Sequence, residues 1–136
     1  MNANINPPTE KVDKLNEITV GIIGIAGGYG QWLARIFSAL GYSVIGSDPR
    51  HEQNIGNRKI VETANVVLFS VPMDMAPDVI REVVPYARKN QLWLDVTSLK
   101  KQPVAAMLES KAEVVGLHPM VAPTVDSWKG QVVKCN

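Results

Sequence analysis

The segment from Ile18 to Ile25, ITVGIIGI, is β-branched and almost wholly apolar, and it runs straight into the glycine-rich stretch GIAGGYG. An apolar run of this kind marks a strand buried on both faces, the situation of a parallel sheet covered by helices. Beyond the glycines, Trp32, Leu33, Ile36, Phe37 and Leu40 recur at helical spacing, and Gly41 is placed to end that helix. A buried strand passing through glycines into an amphipathic helix leaves few folds open to the chain.

The same alternation continues. Ser43 to Ser47 (SVIGS) reads as a short strand ending at Asp48-Pro49, and residues 50–64 are polar with room for at most one short helix. Val66 to Val71 (VVLFSV) is another buried strand, closed by Pro72. Pro77 starts a helix on VIREVV, because proline at the first helical position loses no hydrogen bond. Leu92 to Val96 is strand-like, and Pro103 starts a helix through Val104, Met107 and Leu108. Val114 to Leu117 and Gln131 to Cys135 complete the set. The expectation is a single α/β domain of the Rossmann type: a doubly wound, mainly parallel sheet flanked by helices on both faces. Such sheets bind ligands at the carboxyl ends of their strands, where the strand order reverses.

Length and composition narrow the choice. A chain of 136 residues is one domain by size, and 46% apolar with 20% charged residues is ordinary for a globular protein. The net charge of +1 and the interspersed charges exclude a nucleic-acid surface or a polybasic membrane patch. No apolar run approaches membrane-spanning length. Cys135 is the only cysteine, so no disulfide forms within the chain, and a reducing, cytoplasmic setting is expected. Residues 1–17, polar and carrying Pro7-Pro8, read as a flexible arm before the folded residues 18–136. No metal site is expected.

The glycine stretch departs from the usual G-x-G-x-x-G dinucleotide fingerprint. Gly27 and Gly30 supply its second and third glycines, while Ile25 holds the first position and Gly24 stands one residue early. Its context, a buried strand before and an amphipathic helix after, is the one the fingerprint needs. Glycine lets the backbone approach a pyrophosphate, and the helix start offers N–H groups and the positive dipole end. Gly24, Gly27, Gly28, Tyr29 and Gly30 are therefore cofactor-binding candidates, with a tight turn that holds no ligand as the alternative. Asp48 ends the second strand eighteen residues beyond Gly30. A carboxylate there accepts hydrogen bonds from an adenosine ribose and repels a 2′-phosphate, which favours NAD over NADP. Arg50, two residues on, is placed to receive that phosphate instead, and a plain Asp-Pro turn is the remaining reading. In GLHPMVAP, His118 lies between a strand-like run and a proline. Histidine suits proton transfer near neutral pH, yet one at a strand end is also commonly structural.

The segments GIAGGYGQWLARIF, LFSVP, LDVTSLK and GLHPM, in this order and spacing, resemble the nucleotide-binding domain of prephenate dehydrogenases, from about Ile18 to Cys135. The glycine loop is common to many dehydrogenases; the pairing of DVTSLK with LHPM is the specific part. The resemblance implies NAD-dependent oxidative decarboxylation of prephenate to 4-hydroxyphenylpyruvate in tyrosine biosynthesis, with arogenate or NADP used by some relatives. It implies that His118 is the catalytic histidine and Ser98 its helper, and that Ser70, Val71 and Pro72 line the cofactor. Ser98 reads equally as a cap near the Pro103 helix or a partner for a loop amide. Lys100 is placed to attract a carboxylate, or is solvated surface. Family members continue into an all-helical domain that dimerises and supplies an arginine for the substrate carboxylate. The expected partners are therefore a second copy of the chain in a homodimer, or a helical domain separate from these residues. After HPM the family has phenylalanine and glycine where this chain has Val121 and Ala122.

Three functions are compatible with these residues. One is a prephenate dehydrogenase or its nucleotide-binding part, with arogenate as the variant substrate. Another is a non-catalytic or split NAD-binding module. A dehydrogenase of some other hydroxy acid needs a different catalytic set, and His51 would sit at the adenosine end, away from the nicotinamide.

Overall fold

The computed structural model describes residues 17–50, 55–96, 101–119 and 133–135. Residues 1–16 of the sequence-predicted arm, together with Ser98, Lys100 and His51, lie outside the described residues. Six strands form one sheet: β1 (Thr19–Ile23), β2 (Ser43–Ser47), β3 (Val66–Phe69), β4 (Leu92–Asp95), β5 (Glu113–Pro119) and β6 (Val133–Cys135). Their spatial order is β2-β1-β3-β4-β5-β6. The first five are parallel, and β6 pairs antiparallel to β5. This is the doubly wound, mainly parallel α/β sheet that the alternation predicts.

Among the described residues four α-helices cover it: α1 (Gly28–Ala39), α2 (Asn57–Thr63), α3 (Ala76–Val83) and α4 (Lys101–Met107). On one face Trp32, Leu33 and Ile36 of α1 pack on Val20, Ile22 and Leu68. On the other, Ile60, Val61, Ile80, Val83 and Met107 of the remaining helices close over Ile23, Phe69 and Trp93. The Phe69 and Trp93 rings meet edge to face at 5.1 Å. Strands buried on both sides have no solvent face to alternate with, which is why their sequences read as continuous apolar runs. Among the described residues no helix is long and apolar enough to cross a membrane.

Several boundaries differ from the sequence expectation, each for a local reason. β1 stops at Ile23 because the Gly24 and Ile25 N–H groups turn to donate to the Ser47 carbonyl (2.8 and 3.2 Å). β3 ends at Phe69, because the Ser70 N–H makes the last bond to Ile23 and the chain then turns through Pro72. α1 begins within the glycine stretch, at Gly28: the Gln31 N–H donates to the Gly27 carbonyl at 2.9 Å, winding the end of that stretch into the first turn. Its other end follows the expectation. Gly41 adopts φ +97, its N–H reaches Ser38, and the Tyr42 N–H reaches Phe37, the paired bonds of a Schellman cap. In α4, Lys101 and Gln102 are already helical ahead of Pro103.

One buried polar residue ties the layers together. Gln91, at the entry to β4, is 1% exposed. Its Nε2 donates to the Val61 and Ala64 carbonyls at the end of α2, while its Oε1 accepts from the Trp93 indole and the Arg88 N–H. The Arg88 guanidinium also donates to the Ala64 carbonyl. Replacing Gln91 with leucine strands several buried groups at once. Gln91→Leu is expected to lose about 2–3 kcal/mol in a urea unfolding titration; a change below about 0.5 kcal/mol would mean that these bonds are not holding α2 to the sheet.

Candidate functional site

The strand register builds the site. Ser47, Ile23, Phe69, Asp95 and Gly116 form one row across the carboxyl edge of the five parallel strands. One residue further along each strand come Asp48, Gly24, Ser70 and Val96, so residues distant in sequence arrive side by side. The chain leaves β1 toward α1 on one face and β3 toward α3 on the other, which opens a crevice between those two strands. This is the switch point at which doubly wound sheets bind ligands.

The glycines divide by role. Gly24 has φ +95, and a Cβ on it would stand 2.2 Å from the Ser70 carbonyl oxygen. Gly30 is buried, and a Cβ there would stand 2.2 Å from the Gly24 carbonyl oxygen. These two are demanded by the fold, and Gly24 rather than Ile25 makes the tight turn. A Cβ on Gly27 would meet nothing closer than 3.6 Å, and one on Gly28 nothing within 4 Å. At the start of α1, then, Gly28 faces open space and Gly27 has room for a methyl group in ordinary contact; no side chain caps the helix and no acidic residue stands in its first turn.

Two adjoining hollows occupy the crevice. One, of about 330 Å³, is bounded by Gly27, Gly28, Tyr29 and Val96. The other, of about 370 Å³, is bounded by Gly24, Asp48, Asn57, Met75 and Val79. Arg50, Ser70, Val71 and Pro72 border both. Eight of the nine sequence-predicted cofactor residues thus meet around one crevice, while Gly30 supports the loop from beneath. Val96, Met75 and Val79 belong to the same walls. They gave no signal in the sequence, because an apolar residue just past a strand or on a helix looks like core.

Asp48 is 4% exposed and fully engaged. Its Oδ1 accepts from the Arg50 N–H and Nε, both at 3.0 Å. Its Oδ2 accepts from the Arg50 Nη2 at 3.0 Å and from the Ala26 N–H at 3.2 Å. Beneath it, the Ser47 hydroxyl donates to Asn57 Oδ1 at 2.6 Å. The Arg50 guanidinium holds the Asp48 carboxyl below the ordinary carboxylate value, burial pushes the other way, and the Arg50 and Ala26 N–H groups add to the lowering. Asp95, in the row beside Gly116, is a fully buried carboxylate that the sequence reading passed over within LDVTSLK. Residue 118 falls at the carboxyl end of β5, with its backbone paired to Lys134. It lies on the same edge of the sheet as the crevice.

The prephenate dehydrogenase nucleotide-binding domain model matches residues 42–133, from β2 to the start of β6. The chain belongs to this family. A Methanocaldococcus jannaschii protein named "Probable arogenate/prephenate dehydrogenase" is 35% identical across 88% of this chain and 30% of its own length. The T-protein of Haemophilus influenzae is 38% identical across 82% of this chain and 30% of its own. The crystal structure of Synechocystis arogenate dehydrogenase superposes with a TM-score of 0.68, at 17% identity, covering 79% of this chain and 43% of that one. The last likeness establishes the fold alone. The chain spans about 30% of the length of the curated relatives it matches.

The lowered acidity of Asp48 has a direct consequence for stability. In an unfolded chain an aspartate titrates near about 3.9. The stabilisation from the ionised Asp48 is therefore complete above that pH and is lost as pH falls toward its lower folded value. Urea unfolding measured from pH 5 down to about pH 2 is expected to show a shallower acid loss for Asp48→Asn than for the unaltered chain. Parallel profiles would show that the carboxylate does not hold the loop.

Proposed function

We propose that the chain is the nucleotide-binding part of a prephenate dehydrogenase, which carries out NAD-dependent oxidative decarboxylation of prephenate to 4-hydroxyphenylpyruvate in tyrosine biosynthesis. The observation that carries this reading is the meeting of Gly27, Gly28, Asp48 and the Ser70–Pro72 turn around one crevice at the switch point, in a chain of this family.

The residues fit the cofactor. Gly27 and Gly28 leave backbone-only space for a diphosphate at the start of the twelve-residue α1, where the helix dipole favours negative charge. Asp48 is placed for the adenosine ribose hydroxyls. Tyr29, Val96 and Pro72 offer an apolar bed for the nicotinamide, which when bound supplies the hydride acceptor.

His118 carries the proton chemistry in this reading. As hydride leaves the ring carbon that bears the hydroxyl, the hydroxyl becomes a carbonyl and sheds its proton to a neutral imidazole. Ser98 holds that imidazole in the tautomer whose acceptor nitrogen faces the substrate. Loss of carbon dioxide then leaves an aromatic ring, so the substrate supplies much of the driving force. The greater length of the relatives leaves room for the helical domain that the resemblance implies, with its arginine fork for the substrate carboxylate and its dimer contact. Arogenate is the second reading, favoured by the names of the Methanocaldococcus and Synechocystis proteins; parallel assays with both compounds separate the two.

In a preparation that turns over prephenate, followed by the absorbance of reduced nicotinamide, His118→Asn is expected to lower kcat by about 10²–10⁴ while leaving the Kd for NAD within about twofold. Equal losses in turnover and cofactor affinity would remove His118 from the catalytic role.

A further inference from the structure

The turn that leads out of β3 carries two methionines, and the crevice uses one of them. Met73 and Met75 are 47% and 52% exposed, whereas Met107 of α4 is 0% exposed in the core. Met75 borders the hollow that Asp48 and Asn57 also border, while Met73 borders neither hollow. Backbone bonds fix where Met75 stands. Its N–H and that of Ala76 donate to the Pro72 carbonyl at 2.9 and 3.0 Å, and its own carbonyl accepts from the Val79 N–H at 3.0 Å. Met75 and Val79 are thus one helical turn apart and form an apolar wall of the hollow.

A thioether in this place has two properties at once. Its sulfur is soft and apolar, suited to contact with a flat aromatic ring. It is also open to solvent, and so to peroxides. A sulfur lone pair attacks one oxygen of hydrogen peroxide, the O–O bond breaks and an S–O bond forms. The proton on the transferred oxygen leaves with the departing hydroxide as water; the sulfur is oxidised by two electrons and the peroxide reduced by two. The resulting sulfoxide is polar and holds water at its oxygen. A ring that covers this wall then has to strip that water, a cost the thioether does not impose. Met107 is closed to the oxidant, and a sulfoxide at Met73 leaves the lining of the hollows unaltered.

We propose that Met75 is a redox-sensitive modification site of the crevice: its oxidation to the sulfoxide by peroxide weakens dinucleotide binding, and reduction of the sulfoxide restores it. This rests on the reading of the crevice as a dinucleotide site, and it adds to that reading a reversible modification that sets affinity.

The test exposes the unaltered chain, Met73→Leu and Met75→Leu to hydrogen peroxide, locates the added oxygen by peptide mass spectrometry, and measures NAD binding by calorimetry before and after. In Met73→Leu, peroxide is expected to oxidise Met75 and raise the Kd for NAD about 3–10-fold, and methionine sulfoxide reductases are expected to reverse both. Met75→Leu keeps an apolar wall, so its Kd is expected within about twofold of the unaltered chain, before and after peroxide. Saturating NAD is expected to slow oxidation of Met75 at least about threefold in the unaltered chain and to leave that of Met73 unchanged. Oxidised Met75 with an unchanged Kd would overturn the proposal, as would an equal loss of affinity in peroxide-treated Met75→Leu. Met75 left intact while Met73 reacts would do the same. A melting temperature that falls by more than about 2 °C with oxidation of Met75 would make the effect one of folding, and would also overturn it. Failure of the untreated, unaltered chain to bind NAD would overturn the dinucleotide reading itself, whereas the other contrary results overturn only the role of Met75.

Discussion

The Ser47 carbonyl is the point on which the crevice depends. By accepting the N–H groups of both Gly24 and Ile25, it ends β1 and turns the chain across the tip of β2. Asp48, the next residue, takes the N–H of Ala26 and fixes the loop one step further. The turn is tight enough that Gly24 rests against the Ser70 backbone and Gly30 rests against Gly24. Three strand ends and the start of α1 are thereby locked to one another through backbone atoms, with side chains needed only at Asp48. Such a junction is rigid, and rigidity is what lets a dinucleotide site present its donors without reorganising them.

The two-faced core serves this junction. Trp32, Leu33 and Ile36 press α1 onto β1 and β3 from one side, so the start of α1 is aimed at the crevice rather than at solvent. On the opposite face, Gln91 secures the end of α2 to β4, and the aromatic pair of Phe69 and Trp93 fills the space beneath. α2 in turn carries Asn57, which meets the Ser47 hydroxyl. Packing energy far from the crevice is thus connected to its shape through a short chain of contacts.

The sequence makes most of the architecture legible, because parallel strands buried on both faces leave an unmistakable apolar signature. Its errors share a cause: apolarity reports burial, not hydrogen bonding. Ile25 was expected in the strand and instead lies in the loop, where its side chain covers Gly46 of β2. Gln91 gave no signal, since a glutamine before a strand looks like surface until the carbonyls of α2 are brought to it. Of the site, the glycines and Asp48 could be picked out from motif and position, and Ser70–Pro72 from the family resemblance. The two-sided grip of Arg50 on Asp48 could not, because it depends on the angle at which β2 releases the chain at Pro49. The proposed partnership of Ser98 and His118 rests on family resemblance, with Ser98 outside the described residues.

The central claim, that this crevice is shaped for a dinucleotide, turns on Gly27. Its backbone at φ −74 suits any residue, and a methyl group there meets only ordinary contacts within the protein. A calorimetric titration of Gly27→Ala with NAD, run beside a thermal melt, tests the claim most directly. The account predicts a melting temperature within about 2 °C of the unaltered chain and a Kd for NAD raised at least about tenfold, because the methyl occupies the space of the diphosphate. Unchanged affinity in a normally folded variant would contradict it.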